Sequence, residues 1–192
     1  MKKKIKIGVD FDGVVAYNPF RIIRAPIALV KRNVFGIKKL KFFVPQTPLE
    51  RFIWTVVHES SFFPAIGVER LKELSKRDDV ELHLITARFA FLEQNLFTWL
   101  TRHALKDIFT GIHINHENRQ PHVHKEDLVN SLKLDYFIED NLDIVTHLVS
   151  RTPTRVLWIY NILDRLTPYV YKYPYLEKAL EEIMRQHNRT GH

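Results

Sequence analysis

Cysteine is absent from all 192 residues, which excludes disulfides and thiolate metal sites and suits a reducing compartment. No run approaches the roughly 18 apolar residues that a membrane helix needs. The opening MKKKIKIGVD carries lysines but no apolar stretch of signal-peptide type behind them, so the expected location is the cytoplasm. Acidic residues are missing from one long stretch. Between Gly13 and Leu49 stand seven basic side chains (Arg21, Arg24, Lys31, Arg32, Lys38, Lys39, Lys41) and none of opposite sign. That balance equals the formal charge of +7 for the whole chain. Its field attracts anions, although a solvated basic face accounts for it equally well. Internal repeats and low-complexity tracts are absent too.

What is present reads as one well-buried domain with a modest insertion. The apolar share of 45% and charged share of 27% are ordinary for a globular protein. Short apolar runs predict strands at 4–9, 80–85, 111–114, 135–138 and 155–160, each followed by turn or polar residues. Helical patterns fall at 68–76, 91–105, 125–132, 141–149 and 175–184. Leu92, Leu96, Trp99 and Leu100 share one helical face, as do Leu176, Ala179, Leu180 and Ile183. Such alternation argues for an α/β fold with a mostly parallel five-stranded sheet between helical layers. KIKIGV and VELHLI keep some polar alternation, which suggests that part of the sheet is less fully covered. Right-handed crossovers then put all strand ends on one edge, and a site belongs in the crevice where the winding reverses.

Chemistry-bearing residues fall at those ends. DFDGV places Asp10 and Asp12 after the first strand, LITAR places Thr86 and Arg88 after the second, and FIEDNLD places Glu139, Asp140 and Asp143 after the fourth. Lys125 opens the helix that leads into that fourth strand. These groups, scattered from Asp10 to Asp143, converge only if the sheet forms.

In this order and placement the set resembles the haloacid dehalogenase superfamily of phosphatases: DFDGV as first motif, the threonine of LITAR as second, Lys125 as third and the ED of FIEDN as fourth. TAR, FIEDN and the late WIYNILDR are most similar to the nucleotidase-like proteins related to the 5'(3')-deoxyribonucleotidases. The resemblance implies a Rossmann-like three-layer core over 1–15 and 64–192, with a small helical cap inserted after the first strand at 16–63. It also implies that Asp10 is the nucleophile of an aspartyl-phosphate.

A carboxylate attacks a phosphoryl group only if a cation and donors cancel their repulsion. Magnesium suits an all-oxygen set made of Asp10, Asp140 and the backbone carbonyl of Asp12. Asp12 is placed to serve as general acid for the leaving group and general base for water, and an aspartate there points within the family to phosphatases and mutases. Gly13 frees the backbone for a sharp turn. Thr86 offers a hydroxyl to phosphoryl oxygens, and Lys125 sets a point charge against the nucleophile. Glu139 more plausibly orients the metal's waters than binds the ion. Asp143 is either a further supporting acid or a first-turn residue favoured by the helix dipole. Arg88 is either a clamp on substrate phosphate or a surface partner of Glu93.

Four histidines, His113, His116, His122 and His124, have spacings that can bind zinc, but a loop near Lys125 is the preferred reading. The segment from 15 to 63 is too long for a simple loop and holds helical patterns at 19–32 and 48–58. As a cap it would exclude water, with Tyr17, Arg21, Arg24, Phe42, Phe43, Phe52 and Trp54 either contacting substrate or, for most of the aromatics, forming the cap's own core. The expected activity is a magnesium-dependent phosphomonoesterase acting on a small phosphorylated metabolite, most plausibly a nucleotide. A sugar phosphate is the alternative substrate. From another class, a nucleic-acid or anionic-surface binding protein on the same fold remains open, and the intact motif set argues against it.

Overall fold

Strand-forming runs rich in Val, Ile and Leu alternate with amphipathic helices, and the computed structural model, which describes residues 4–17, 42–59 and 63–190, stacks them in layers. In chain order the elements are strand β1 (Ile5–Val9), strand β2 (Ala16–Tyr17), helix α1 (Pro48–Glu59), strand β3 (Phe63–Pro64), helix α2 (Val68–Leu74) and strand β4 (Val80–Phe89). Helix α3 (Glu93–Arg102), strand β5 (Gly111–Asn115), helix α4 (Pro121–Leu132), strand β6 (Tyr136–Glu139) and helix α5 (Leu142–Arg151) follow. The last three are strands β7 (Arg155–Ile159) and β8 (Lys172–Tyr173) and helix α6 (Leu176–Thr190).

The main sheet has six strands in the order β5-β4-β1-β6-β7-β8, every neighbouring pair parallel. Alternate residues feed opposite cores, as the period of two requires. Ile7, Val9, Leu82, Leu84, Ile138 and Leu157 face one cluster with α2, α3 and α6, while Ile85, Phe137, Val156 and Trp158 face another with α4 and α5. The predicted helix faces are the buried ones: Leu96, Trp99 and Leu100 on α3, and Leu176, Ala179, Leu180 and Ile183 on α6. Each fully buried leucine contributes roughly 1.5–3 kcal/mol of apolar burial. Among the polar-alternating strand residues, Lys6 keeps partial exposure and donates from Nζ to the Leu132 carbonyl at 3.1 Å.

The strand order reverses direction between β1 and β6, which is the switch point of a doubly wound sheet. Six strands replace the expected five because β8, only two residues long, lies below the reach of any periodicity signal. Strand β4 runs on to Phe89, with a register shift against β5 between Thr86 and Phe89, so Thr86 and Arg88 lie within an irregular strand end and not beyond it. Helix α4 begins at Pro121, a favoured first-turn residue, so Lys125 sits in its second turn and does not open it.

Between β1 and α2, strands β2 and β3 form a two-stranded antiparallel ribbon pairing Ala16 with Pro64 and Tyr17 with Phe63. Helix α1 starts on a capping box: Glu50 Oε2 accepts from the amides of Gln46 and Thr47 at 2.7 and 2.9 Å, and the Glu50 amide donates to Thr47 Oγ1 at 3.2 Å. The expected helix at 19–32, with Arg21, Arg24 and the rest of the basic run to Lys41, lies outside the described residues. No helix among the described residues is long and apolar enough to cross a membrane.

Candidate active site

Asp10 leaves β1 at the centre of the sheet, its amide still donating to the Ile138 carbonyl at 2.9 Å. The chain then folds back tightly, with the amides of Val15 and Ala16 donating to the Phe11 carbonyl and that of Gly13 to the Ala16 carbonyl. Phe11 anchors this turn from below, fully buried and edge-on to Trp99 at 5.0 Å. Gly13 adopts φ 87°, and a Cβ there would collide with the Asp140 carboxylate. Glycine is therefore required twice over, by the backbone and by the close approach of Asp140, just past the end of β6.

Lys125, buried on α4, reaches across to Asp10 Oδ1 at 2.8 Å and Glu139 Oε2 at 2.6 Å. Glu139 is fully buried, and its other oxygen accepts from the amides of Asp140 and Asn141 at 3.2 and 3.0 Å. Burial pushes the Asp10 carboxyl well above the usual carboxylate range, with Lys125 pulling the other way and Glu139 and Asp140 adding to the rise. Desolvation works against the charge on Lys125, yet Asp10 and Glu139 outweigh it and hold the amine above its ordinary value. Asp10, Glu139 and Asp140 each offer an oxygen within 4.8 Å of the others, the only such group among the described residues. One lysine cannot balance three clustered carboxylates, so hard oxygen donors and excess negative charge together fit a magnesium ion. The expected third donor, the Asp12 carbonyl, belongs to the same turn, whereas the Asp12 side chain points to another partner.

That partner is Arg88. Its Nε and Nη2 donate to Asp12 Oδ2 and Oδ1, both at 2.8 Å, and both side chains are largely buried. Arg88 is thus neither on the surface nor with Glu93, which meets His116 at 3.2 Å instead. Thr86 is buried beside it and accepts the Arg88 amide on Oγ1 at 3.2 Å, keeping its own proton for another acceptor. Asp143 occupies the first turn of α5, where its amide is capped by Asn141 Oδ1 at 3.0 Å.

The histidines do not share one centre. His113 faces His83 at 3.4 Å, His116 meets Glu93, and His122 lies between Phe42 and His147, with ring centroids 6.1 and 4.8 Å away. His124 is buried against the Thr86 backbone. Its burial first, and then the charges of Lys125 and Arg119, lower its pKa to about 4.

Tyr17 is exposed on β2, Phe43 and Phe52 are exposed, and Trp54 links Phe43 to His58 by ring contacts of 5.6 and 5.5 Å. Phe42 instead packs on the α4–α5 core, its backbone bonded through both amide groups to the Gln120 side chain at 2.8 and 3.3 Å. Arg21 lies outside the described residues. Two participants carried no sequence signal: the His58 carbonyl, which accepts from Arg88 Nη2 at 3.1 Å, and Trp158, whose Nε1 donates to the Asp140 carbonyl at 3.0 Å.

No protein-family model and no curated protein matches the chain. Solved structures do. A candidate β-phosphoglucomutase from Thermotoga maritima is similar with a TM-score of 0.61 and 16% identity, over 94% of this chain and 99% of that one. The fold is shared with solved haloacid dehalogenase-type hydrolases. A haloacid dehalogenase-like hydrolase from Xanthomonas campestris gives a TM-score of 0.57 at 10% identity, covering 100% of this chain and 99% of its own. A candidate haloacid dehalogenase-type hydrolase from Bacillus subtilis, solved bound to magnesium, gives 0.57 at 11% identity over 96% and 100%. Identities this low establish the shared fold, and the chemistry rests on the side chains.

Proposed function

We propose that the protein is a magnesium-dependent phosphomonoesterase, a hydrolase that works through an aspartyl-phosphate on Asp10. The observation that carries this reading is the Lys125 bridge: one buried amine fixes Asp10 Oδ1 at 2.8 Å and Glu139 at 2.6 Å while Asp140 stands in the same cluster. Asp10, held at the centre of the sheet edge, attacks phosphorus with its second oxygen. Lys125 and the Thr86 hydroxyl face the charge that builds on the phosphoryl oxygens. Asp12 gives a proton to the leaving oxygen and later takes one from water. Asp10, Asp140 and the Asp12 carbonyl would hold magnesium, with Glu139 fixing Lys125 and the Asp140 turn from behind. Magnesium, when bound, supplies the positive charge that lets carboxylate and phosphate approach each other. The magnesium-bound structural relative supports that cofactor.

In this reading residues 16–63 serve as a cap, Tyr17 and Arg21 bind substrate, and the charge of the basic run from Arg21 to Lys41 attracts anions. A nucleotide is the favoured substrate, on the TAR and FIEDN motifs. A sugar phosphate is the second reading, favoured by the likeness to a candidate β-phosphoglucomutase. The cytoplasm, where free nucleotides and magnesium are abundant, is the compartment this reading fits.

The test is hydrolysis of p-nitrophenyl phosphate by purified protein with magnesium, stopped by EDTA. Asp10→Asn abolishes turnover and phosphoenzyme formation. Metal-independent turnover, or an Asp10→Asn variant as active as wild type, refutes the reading. A panel of nucleoside monophosphates and sugar phosphates then separates the two substrate classes.

A further inference from the structure

A substrate clamp needs donors that point at the substrate. Arg88 has already committed its working edge: Nε and one hydrogen of Nη2 fork onto the two oxygens of Asp12, and Nη2 also donates to the His58 carbonyl at 3.1 Å. The guanidinium lies over the Phe11 ring at 4.6 Å, which fixes its plane from below. On the backbone side, its amide is tied to Thr86 Oγ1 in the irregular end of β4. A lysine could supply the charge here but not the planar fork. Both Asp12 oxygens are held by this fork, so the aim of the carboxylate is set by Arg88.

His58 stands in the last turn of α1, which belongs to the inserted segment. The same Nη2 therefore joins the end of that helix to Asp12.

We propose that Arg88 is a positioning residue for Asp12, coupling the proton-transfer carboxylate to the end of α1, and is not a clamp on substrate phosphate. This rests on the reading of Asp12 as acid and base of a phosphatase. A clamp binds every substrate alike, whatever its leaving group. A residue that aims Asp12 matters where the leaving oxygen needs a proton and not where it leaves as a stable anion.

The experiment compares single-turnover rates on a nucleoside 5'-monophosphate and on p-nitrophenyl phosphate, both with magnesium, for wild type, Arg88→Gln, Arg88→Lys, Asp12→Asn and the double variant Arg88→Gln/Asp12→Asn. Arg88→Gln is expected to slow cleavage of the alkyl phosphate by roughly 100-fold, within the usual reach of general acid catalysis. The first burst of p-nitrophenolate and both KM values should stay within about threefold of wild type. Arg88→Lys should fall between the two. The double variant should lose no more than Asp12→Asn alone, because the two residues act as one unit. It also leaves no buried carboxylate without its partner, so its melting curve guards against a folding defect.

A KM raised tenfold or more for both substrates at unchanged rate would restore the clamp and overturn the proposal. So would an equal loss on both leaving groups, or additive losses in the double variant. If wild type cleaves neither phosphate, the phosphatase reading itself falls and takes this inference with it. If wild type is active and only the predicted leaving-group split is missing, this inference alone falls.

Discussion

Lys125→Met isolates the charge balance of the cluster. Methionine fills most of the same volume but removes the amine that sits 2.8 Å from Asp10 and 2.6 Å from Glu139. Those two carboxylates, with Asp140 beside them, are then left buried without their compensating cation. Removing one partner of a buried ion pair costs about 3–5 kcal/mol. At roughly 2–4 °C per kcal/mol for a chain of this size, Tm should fall by about 6–20 °C in EDTA. A fold of ordinary stability, about 5–15 kcal/mol, tolerates that near room temperature.

Magnesium should then narrow the gap between the two proteins, since a cation among the same carboxylates no longer competes with the amine and stabilises the variant more than wild type. Binding at about 100 times Kd is worth roughly 2.7 kcal/mol, enough to be seen in a melt. Adding Glu139→Gln to Lys125→Met should recover part of the EDTA loss, because one of the stranded charges is gone. Differential scanning calorimetry with EDTA and with magnesium reads all three proteins. An unchanged gap in the two conditions, or a Lys125→Met protein as stable as wild type in EDTA, would refute the charge argument.

Two further outcomes follow from single positions. Gly13→Ala combines φ 87° with a collision at the Asp140 carboxylate, so magnesium affinity read by titration calorimetry should weaken at least about tenfold, with backbone strain of roughly 1–2 kcal/mol in the melt; unchanged affinity would show that Asp140 does not hold the ion. His124 resists protonation when folded, with a pKa of about 4 against 6.5 ordinarily. The unfolded chain therefore binds the extra proton between those values, and the contribution present above pH 6.5 is lost as pH falls toward 4. Urea unfolding at pH 7 and pH 5 should show wild type losing roughly 2 kcal/mol more than His124→Gln over that interval, and equal losses would contradict the assignment.

The convergence at the sheet edge was legible because it rests on alternation of strand and helix and on charges that strands do not otherwise expose. Asp10, Thr86, Lys125, Glu139 and Asp140 could be gathered from that logic alone. Strands β2, β3 and β8 could not, since two residues carry no period. The extension of β4 past Thr86 was hidden by its own polar ending, where Thr86 and Arg88 resemble a turn exit but continue the strand through a register shift. The helix expected at 125–132 begins four residues earlier, at Pro121; proline and Asn118 look like loop punctuation, although proline also begins helices. Arg88 was placed among the right residues with its partner missed. Nothing local in LITAR signals a fork onto Asp12, a contact between residues 76 positions apart.

The short ribbon of β2 and β3 has a consequence for how this chain can be rebuilt. Tyr17 and Phe63 are directly opposed antiparallel residues, and such partners have Cα atoms roughly 5 Å apart. Everything between them leaves and returns through a gap that a two-residue hairpin turn could bridge. Replacing that stretch with Asn-Gly would join the ribbon directly and leave the six-stranded sheet, Asp10, Lys125 and Asp140 with their chain connections intact. By the same token a foreign helical segment could be grafted at this gap without altering any strand register, which makes the ribbon a natural splice point for exchanging the segment between its strands.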